Sequence, residues 1–207
     1  MIDPGLLIVL SGPSGVGKDA LLGEFLEDNP DCALSVSATT RPPRATEVNG
    51  REYHFVSREE FKGMIEAGQM LEWAEYSGNF YGTPRHTVEQ ELARGKSVIL
   101  KIEVQGALQI KKDFPDALFV FLAPPSMEVL VQRLTNRKTE DEEMLKKRLQ
   151  TATFELAQLG SYDYVIVNEN LCEAAADLTA VVRAAKCTLS YKKPIIDQLL
   201  KEVITHA

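Results

Sequence analysis

Cysteine is scarce: Cys32, Cys172 and Cys187 are the only three among 207 residues, widely spaced and with no Cys-x-x-Cys pair. Such spacing supplies neither a disulfide framework nor a thiolate metal site, and predicts reduced, partly buried thiols in the cytoplasm. Positive charge is also in deficit. Lys and Arg total 23 against 30 Asp and Glu, a net charge of −7, which argues against a nucleic-acid-coating surface. No apolar run is long enough to cross a bilayer and no basic-then-apolar leader opens the chain, so no membrane partner is expected. Internal repeats and low-complexity tracts are absent as well. What remains, 44% hydrophobic and 26% charged residues, suits one compact α/β unit with a full core and room for small inserted subdomains.

The chain is organised around residues 6–22, LLIVLSGPSGVGKDALL. Residues 6–10 form a continuous apolar run, as a strand buried on both faces requires. The run feeds Gly12-Pro13-Ser14-Gly15-Val16-Gly17-Lys18, which has the spacing of a phosphate-binding loop. Helical periodicity follows at once, with Ala20, Leu21, Leu22, Phe25 and Leu26 on one side. Glycines let backbone N–H groups converge on an anion, and the helix that follows points its positive end there. Lys18 adds a mobile cation for the terminal phosphates. Strand, spacing, lysine and helix occur together, which separates this stretch from an ordinary glycine-rich turn. One position departs from the motif. Asp19 stands where a hydroxyl residue normally follows the lysine and ligates Mg²⁺.

Residues 32–36 predict a second strand, after which Arg41-Pro-Pro-Arg44 denies helix. Two arginines three apart on a rigid extended segment suit a bidentate grip on a phosphate, although composition alone fits a solvated basic loop equally well. Asn49-Gly50 predicts a turn and residues 53–56 a strand. Ser57 and Glu60 form a capping box opening a helix to residue 67. Residues 70–76 alternate as a strand, with Trp73 assigned to packing and Glu72 to the opposite face. Residues 77–84 are expected to turn, with Thr83 capping and Pro84 opening a helix to about residue 93. Residues 97–102 and 117–122 are further apolar strands, separated by Glu103 and a helix over residues 104–112. Ser126 can cap the next helix, and residues 133–143 are a charged segment with the character of a mobile lid. A helix from about residue 140 to 158, a strand at residues 164–167 ending at Asn168, and helices over residues 171–189 and 194–204 complete the reading. Strands alternating with helices predict a parallel sheet covered on both faces, with an insertion carrying its own small sheet.

The motifs SGPSGVGK, SVSATTRPPRATEVNGREYHFVS, EWAEYSGNFYGTP, LKIEVQG, RLTNRKTEDEE and YVIVN, in this order across almost the whole chain, resemble guanylate kinase. The second and third are far more specific than the phosphate loop, which many nucleotide enzymes share. The resemblance implies a three-layer P-loop kinase fold with a central parallel sheet, an inserted α+β GMP-binding subdomain and a mobile lid. The corresponding segments are residues 1–36, 84–125 and 159–207 for the core, 37–83 for the insertion, and 126–158 for the lid with its flanking helices. It implies Mg²⁺-dependent phosphoryl transfer from ATP to GMP, with dGMP as a second acceptor, by a monomer or homodimer. Gly12 to Asp19 and Asn168 would bind ATP. Arg41, Arg44, Tyr53 and Tyr81 would hold the GMP phosphate, Ser37, Glu72 and Thr83 would read the base, and Glu103 would lie beside GMP. Lys18, Arg41, Arg133, Arg137 and Arg148 would serve catalysis. The assignment of Glu72 has its own chemical logic: guanine presents N1–H and an N2 amino group side by side, which one carboxylate can accept together.

Three positions depart from the family pattern. Asp19 replaces the loop hydroxyl, Lys101 replaces an acid two residues before Glu103, and Lys138 replaces a lid glycine. The first two are read as one exchange, in which Asp19 supplies the carboxylate for Mg²⁺ and Lys101 balances its charge; water-mediated coordination that makes both sites permissive, or a reduced activity, are the alternatives. Two rival functions are a catalytically silent guanylate-kinase-like protein-binding module and a kinase of ribose phosphates. The retained Lys18 and arginine set oppose the first, and Ser37, Glu72 and Thr83 oppose the second.

Overall fold

The computed structural model describes residues 5–76, 78–135 and 142–206. The elements run β1 (Leu7–Ser11), α1 (Lys18–Asp28), β2 (Cys32–Leu34), β3 (Ala38–Thr39), β4 (His54–Phe55) and α2 (Arg58–Glu66). They continue with β5 (Met70–Tyr76), β6 (Asn79–Pro84), α3 (Arg85–Ala93), β7 (Ser97–Lys101), α4 (Val104–Asp113) and β8 (Leu118–Ala123). The last are α5 (Met127–Thr135), α6 (Glu142–Ala157), β9 (Tyr164–Val167), α7 (Leu171–Ala185) and α8 (Leu189–His206).

Five strands form an all-parallel sheet in the order β2-β7-β1-β8-β9. β1 lies at its centre, with Ile8 opposite Ile99 on one side and Leu118 on the other. Side chains alternate across a strand, so the central strand feeds two cores. Leu6, Ile8 and Leu10 pack with Phe25 of α1 and Leu178 of α7. Leu7 and Val9 pack with Val88 of α3 and Ile110 of α4 on the other face. This is the three-layer α/β architecture expected. The strands' carboxyl ends, where such sheets place their ligands, carry the glycine loop, Lys101 and Asn168.

The insertion is a second sheet of four strands, β4-β3-β6-β5, closed by α2 through Phe61, Met70 and Phe80. Its helix opens with the expected capping box, Ser57 and Glu60 each bonding the other's backbone. Residues 79–84 are not a turn. They form β6, paired antiparallel to β5 and β3, and of the expected turn's described residues Gly78, with φ 76°, is the one left in a turn. Gly and Pro in NFYGTP suggest a break, but Gly82 is where the backbones crowd. A Cβ there would stand 2.7 Å from the Glu72 carbonyl oxygen. Thr83 does not cap the next helix either; Pro84 is its N-cap residue.

Two further boundaries differ. The carboxyl-terminal helices divide at residues 186–188, and α8 runs through Pro194. The Thr188 hydroxyl accepts from the Tyr191 N–H at 3.4 Å and starts the helix early enough for proline to fall within its second turn. β5 also exposes the unexpected face: Trp73 is 38% exposed, whereas Glu72 is 4% exposed.

Candidate functional site

The phosphate loop owes its shape to three glycines in conformations that L side chains rarely adopt. Gly15 and Gly17 have φ of 84° and 104°, and a Cβ at Gly12 would stand 2.2 Å from the Leu122 carbonyl oxygen of β8. At Gly17 a Cβ would stand 2.5 Å from Asn168 Nδ2. Asn168 is placed at the end of β9, where Nδ2 donates to the Val16 carbonyl at 2.8 Å. Arg133 of α5 donates to the same carbonyl at 3.1 Å and to that of Asn168 at 3.0 Å. Lys18 Nζ donates to the carbonyls of Gly12 and Pro13, folding its charge over the loop. Arg148 of α6 reaches Ser14 Oγ at 3.4 Å. Three cations and the amino end of α1 thus converge on one loop. Arg137 and Lys138 lie outside the described residues.

The residues that the resemblance assigns to GMP lie on or beside the strands of the small sheet and at the start of α4. Glu72 of β5 accepts a 2.6 Å hydrogen bond from the Thr83 hydroxyl of β6, its cross-strand partner. Burial pushes its carboxyl up to about 7, against the lowering effect of Thr83, and the charge of Glu103 adds to the rise. Glu103 is the residue from which α4 springs. Ser37 leads into β3, its carbonyl accepting from the His54 N–H. Tyr53 and Tyr81 meet edge to face with ring centroids 6.0 Å apart. Arg41 lies 5.5 Å from the Tyr53 ring centroid. Its guanidinium also grips Glu47 with two bonds of 2.9 and 3.0 Å, and Glu47 Oε2 accepts from the Arg44 N–H at 2.7 Å. The Glu47 bond holds the Arg41 guanidinium above its ordinary range and keeps the Glu47 carboxyl below its own.

The two departures near the loop meet each other. Lys101 Nζ at the end of β7 lies 2.5 Å from Asp19 Oδ1 on the first turn of α1. Both charges act on the Tyr53 hydroxyl, which burial raises above its ordinary value. This pair therefore lies near Tyr53 as well as the glycine loop.

Sequence reasoning missed two residues that shape the site. Glu47 was one acid among many, and only the fold turns it back onto Arg41. Gly106, on the first turn of α4, lies against the Glu72 carboxylate: a Cβ there would stand 2.2 Å from Glu72 Oε2. Its signal was present, since glycine in a helix needs a packing reason. Gln109 locks the same contact, donating to the Trp73 carbonyl at 2.7 Å and accepting from its N–H at 3.2 Å. By contrast, a cavity of about 670 Å³ at the opposite end of the parallel strands, lined by Leu6, Asp116, Tyr164 and Tyr191, holds none of these groups.

Comparison with known proteins matches the chain to a family. A family model described as guanylate kinase covers residues 5–185. The guanylate kinase of Desulfitobacterium hafniense (strain Y51) is 53% identical over 194 residues, covering 94% of this chain and 96% of that protein. That of Thermosynechococcus vestitus is 54% identical over 168 residues, covering 81% and 88%. The crystal structure of guanylate kinase from Anaplasma phagocytophilum superposes with a TM-score of 0.75 at 36% identity, covering 90% of this chain and 88% of that one. No helix among the described residues is long and apolar enough to cross a membrane.

Proposed function

The chain belongs to the guanylate kinase family and is an ATP:GMP phosphotransferase, and from that premise we propose which residues perform each part of the reaction. The acceptor is GMP, with dGMP as a second substrate, and the base is read by Glu72. The observation that carries this reading is the Glu72 carboxylate itself: buried, held by Thr83 and backed by Gly106. Ionised, it accepts guanine N1–H and N2–H together. Adenine offers a bare N1 there and leaves the carboxylate unpaired, a mismatch worth on the order of 10⁴-fold in favourable sites. Ser37 and Thr83 complete the base-reading set.

Arg41, Arg44, Tyr53 and Tyr81 receive the acceptor phosphate, and Glu47 presents Arg41 to it in a fixed orientation. Residues 12–19 and Asn168 hold ATP, with the backbone of the loop around its phosphates and Lys18 lifted onto the terminal one. An oxygen of the GMP phosphate attacks the γ-phosphorus; its bond forms as the bond to the bridging oxygen of ADP breaks. No base is required, because the attacking phosphate is already ionised. The protein's work is alignment, exclusion of water and neutralisation of charge. Lys18, Arg41, Arg133, Arg137 and Arg148 supply the positive charge, and one arginine in that role contributes about 10³-fold or more. We assign residues 37–83 to acceptor binding, residues 126–158 to a lid that closes over both substrates, and the remainder to the core. The active form is a monomer or homodimer, placed in the cytoplasm.

Mg²⁺ binds through one or two carboxylates, phosphate oxygens and water, so the hard oxygen donors of Asp19 suit it. Bound there, it would screen the phosphate charge. Asp19 would hold it and Lys101 would balance the carboxylate until it does. A coupled assay offering GMP, dGMP, AMP and ribose bisphosphate tests the whole reading. GMP and dGMP should turn over and the other two should not. Equal use of GMP and AMP, or turnover of ribose bisphosphate, would overturn the role of Glu72, and no turnover of any would make the chain a silent binding module.

A further inference from the structure

Three carboxyls, those of Glu72, Glu103 and Glu155, lie near one another beside the acceptor site, and the reaction above gives a role to Glu72 alone. Glu72 of β5 and Glu155 of α6 are each 4% exposed. The charge of Glu103 acts on both, and Glu103 and Glu155 line the same small cavity. Glu155, Phe154 and Thr151 of α6 line a cavity of about 50 Å³ together with Glu103 and with Glu75 and Tyr76 of β5. The helix carrying Arg148, the core and the small sheet therefore meet at one joint, and Glu155 is the buried ionisable group within it.

A buried carboxyl beside a second carboxylate holds its proton to higher pH than an exposed one. Burial, reinforced by the charge of Glu103 and the bond to it, pushes Glu155 up to about 8, while Lys18 opposes the rise. The charged and titratable groups around Glu155 are Glu103 ahead of α4, Glu75 and Tyr76 of β5, Lys18 of α1, and Tyr162 ahead of β9. Burial raises the Tyr162 hydroxyl to about 12, so it stays neutral while Glu155 titrates.

We propose that Glu155 is a positioning residue for the acceptor: its protonated carboxyl donates a hydrogen bond to Glu103 that fastens α6 to the core and to the small sheet, holding the GMP site assembled. The inference rests on the guanylate kinase reading. Loss of the proton sets two like charges against each other at the joint, and α6 is pushed from the site. ATP, held chiefly by the backbone of the glycine loop rather than by α6, is affected less.

The test follows KM for GMP and for ATP from about pH 6 to about pH 9, either side of the Glu155 value of about 8, in wild type, Glu155→Gln and Glu155→Ala. Glutamine keeps the donor and cannot titrate. In wild type, KM for GMP should climb about tenfold per pH unit above the transition, with KM for ATP flat. Glu155→Gln should lose that climb while keeping the neutral-pH value within about twofold, and Glu155→Ala should show KM for GMP raised about tenfold throughout, the effect of one lost charge-assisted bond. A second readout needs no turnover. The folded-state value lies above that of the unfolded chain, so the stability Glu155 contributes is present in acid and lost as pH rises towards about 8. The melting temperature of wild type should therefore fall relative to Glu155→Gln across that range. A Gln variant that keeps the alkaline climb, or an Ala variant with the wild-type KM for GMP, would overturn the proposal. Were the Gln variant to fail to fold, the wild-type curves decide alone: GMP and ATP constants rising in parallel, or neither rising, would also overturn it. A chain that turns over no GMP at any pH would refute the kinase reading instead, a separable result.

Discussion

Gly106→Ala is the most informative single change, because fold and function should respond to it in opposite directions. The added methyl would lie 2.2 Å from Glu72 Oε2 and 3.0 Å from Glu72 Cδ, where ordinary contact begins near 3.4 Å. The obstacle is the end of a flexible side chain rather than backbone, so the fold can yield by swinging the carboxylate aside by roughly 1.2 Å, the gap between 2.2 Å and the 3.4 Å of ordinary contact. In the helix itself the substitution is favourable, since alanine exceeds glycine by about 0.5–1 kcal/mol in a helix interior. Stability should thus be unchanged or slightly raised. Catalysis should not survive so well, because a misplacement of about 1 Å can cost about 10²-fold. The displaced atoms are the ones proposed above to accept guanine N1–H and N2–H. The assay is steady-state kinetics with GMP and ATP varied in turn, beside a urea denaturation curve. KM for GMP should rise about 10- to 100-fold with KM for ATP unchanged and the denaturation midpoint held. A variant that folds normally and binds GMP within about twofold of wild type would refute the placement of the base against Glu72.

Glu72 adds an acid limb to the pH profile. Its carboxyl is pushed up to about 7 and must be ionised to accept two donors, so KM for GMP should fall as pH rises through about 7, a slope that Glu72→Gln removes along with most GMP affinity. Because that folded-state value is raised, the stability Glu72 contributes is present in acid and lost as pH rises through about 7, and the wild-type melting temperature should decline relative to Glu72→Gln over the same interval. Asp19→Ser should raise the Mg²⁺ concentration needed for ATP binding by calorimetry, and Lys101→Asp in the same chain should restore part of it; purely additive effects would refute the exchange. Neither change should shift stability by more than about 1 kcal/mol, since the Asp19 side chain is 84% exposed. Gly17→Ala should be costly on both counts. A side chain at φ 104° that also meets Asn168 should lose about 1–3 kcal/mol in denaturation and weaken ATP binding, and an unchanged KM for ATP would sink the account of the loop.

The local devices of this chain were legible because each is written within a few residues. The apolar strand, the glycine spacing and Lys18 lie in one continuous stretch, and the Ser57–Glu60 capping box spans a single turn. β6 was misread because Gly82 and Pro84 carry turn chemistry, while the reason for Gly82 is the close approach of β5 and Phe61. Pro194 was misread as a break for a similar reason: Thr188 begins the helix upstream of it. The Asp19–Lys101 exchange could be inferred from two departures from a pattern, but their contact is a fact of two elements 82 residues apart.

Composition, periodicity and motif spacing were sufficient for the α/β class, the anion-binding loop and the kinds of side chain available, because those depend on interactions between near neighbours in the chain. Strand order, the turning of Glu47 onto Arg41, the burial of Glu72 against Gly106 and the burial of Glu155 beside Glu103 all required the folded molecule. Each depends on how far water is excluded and which charges are brought together by distant segments, and desolvation and Coulomb energy are set by that three-dimensional neighbourhood rather than by any single stretch of sequence.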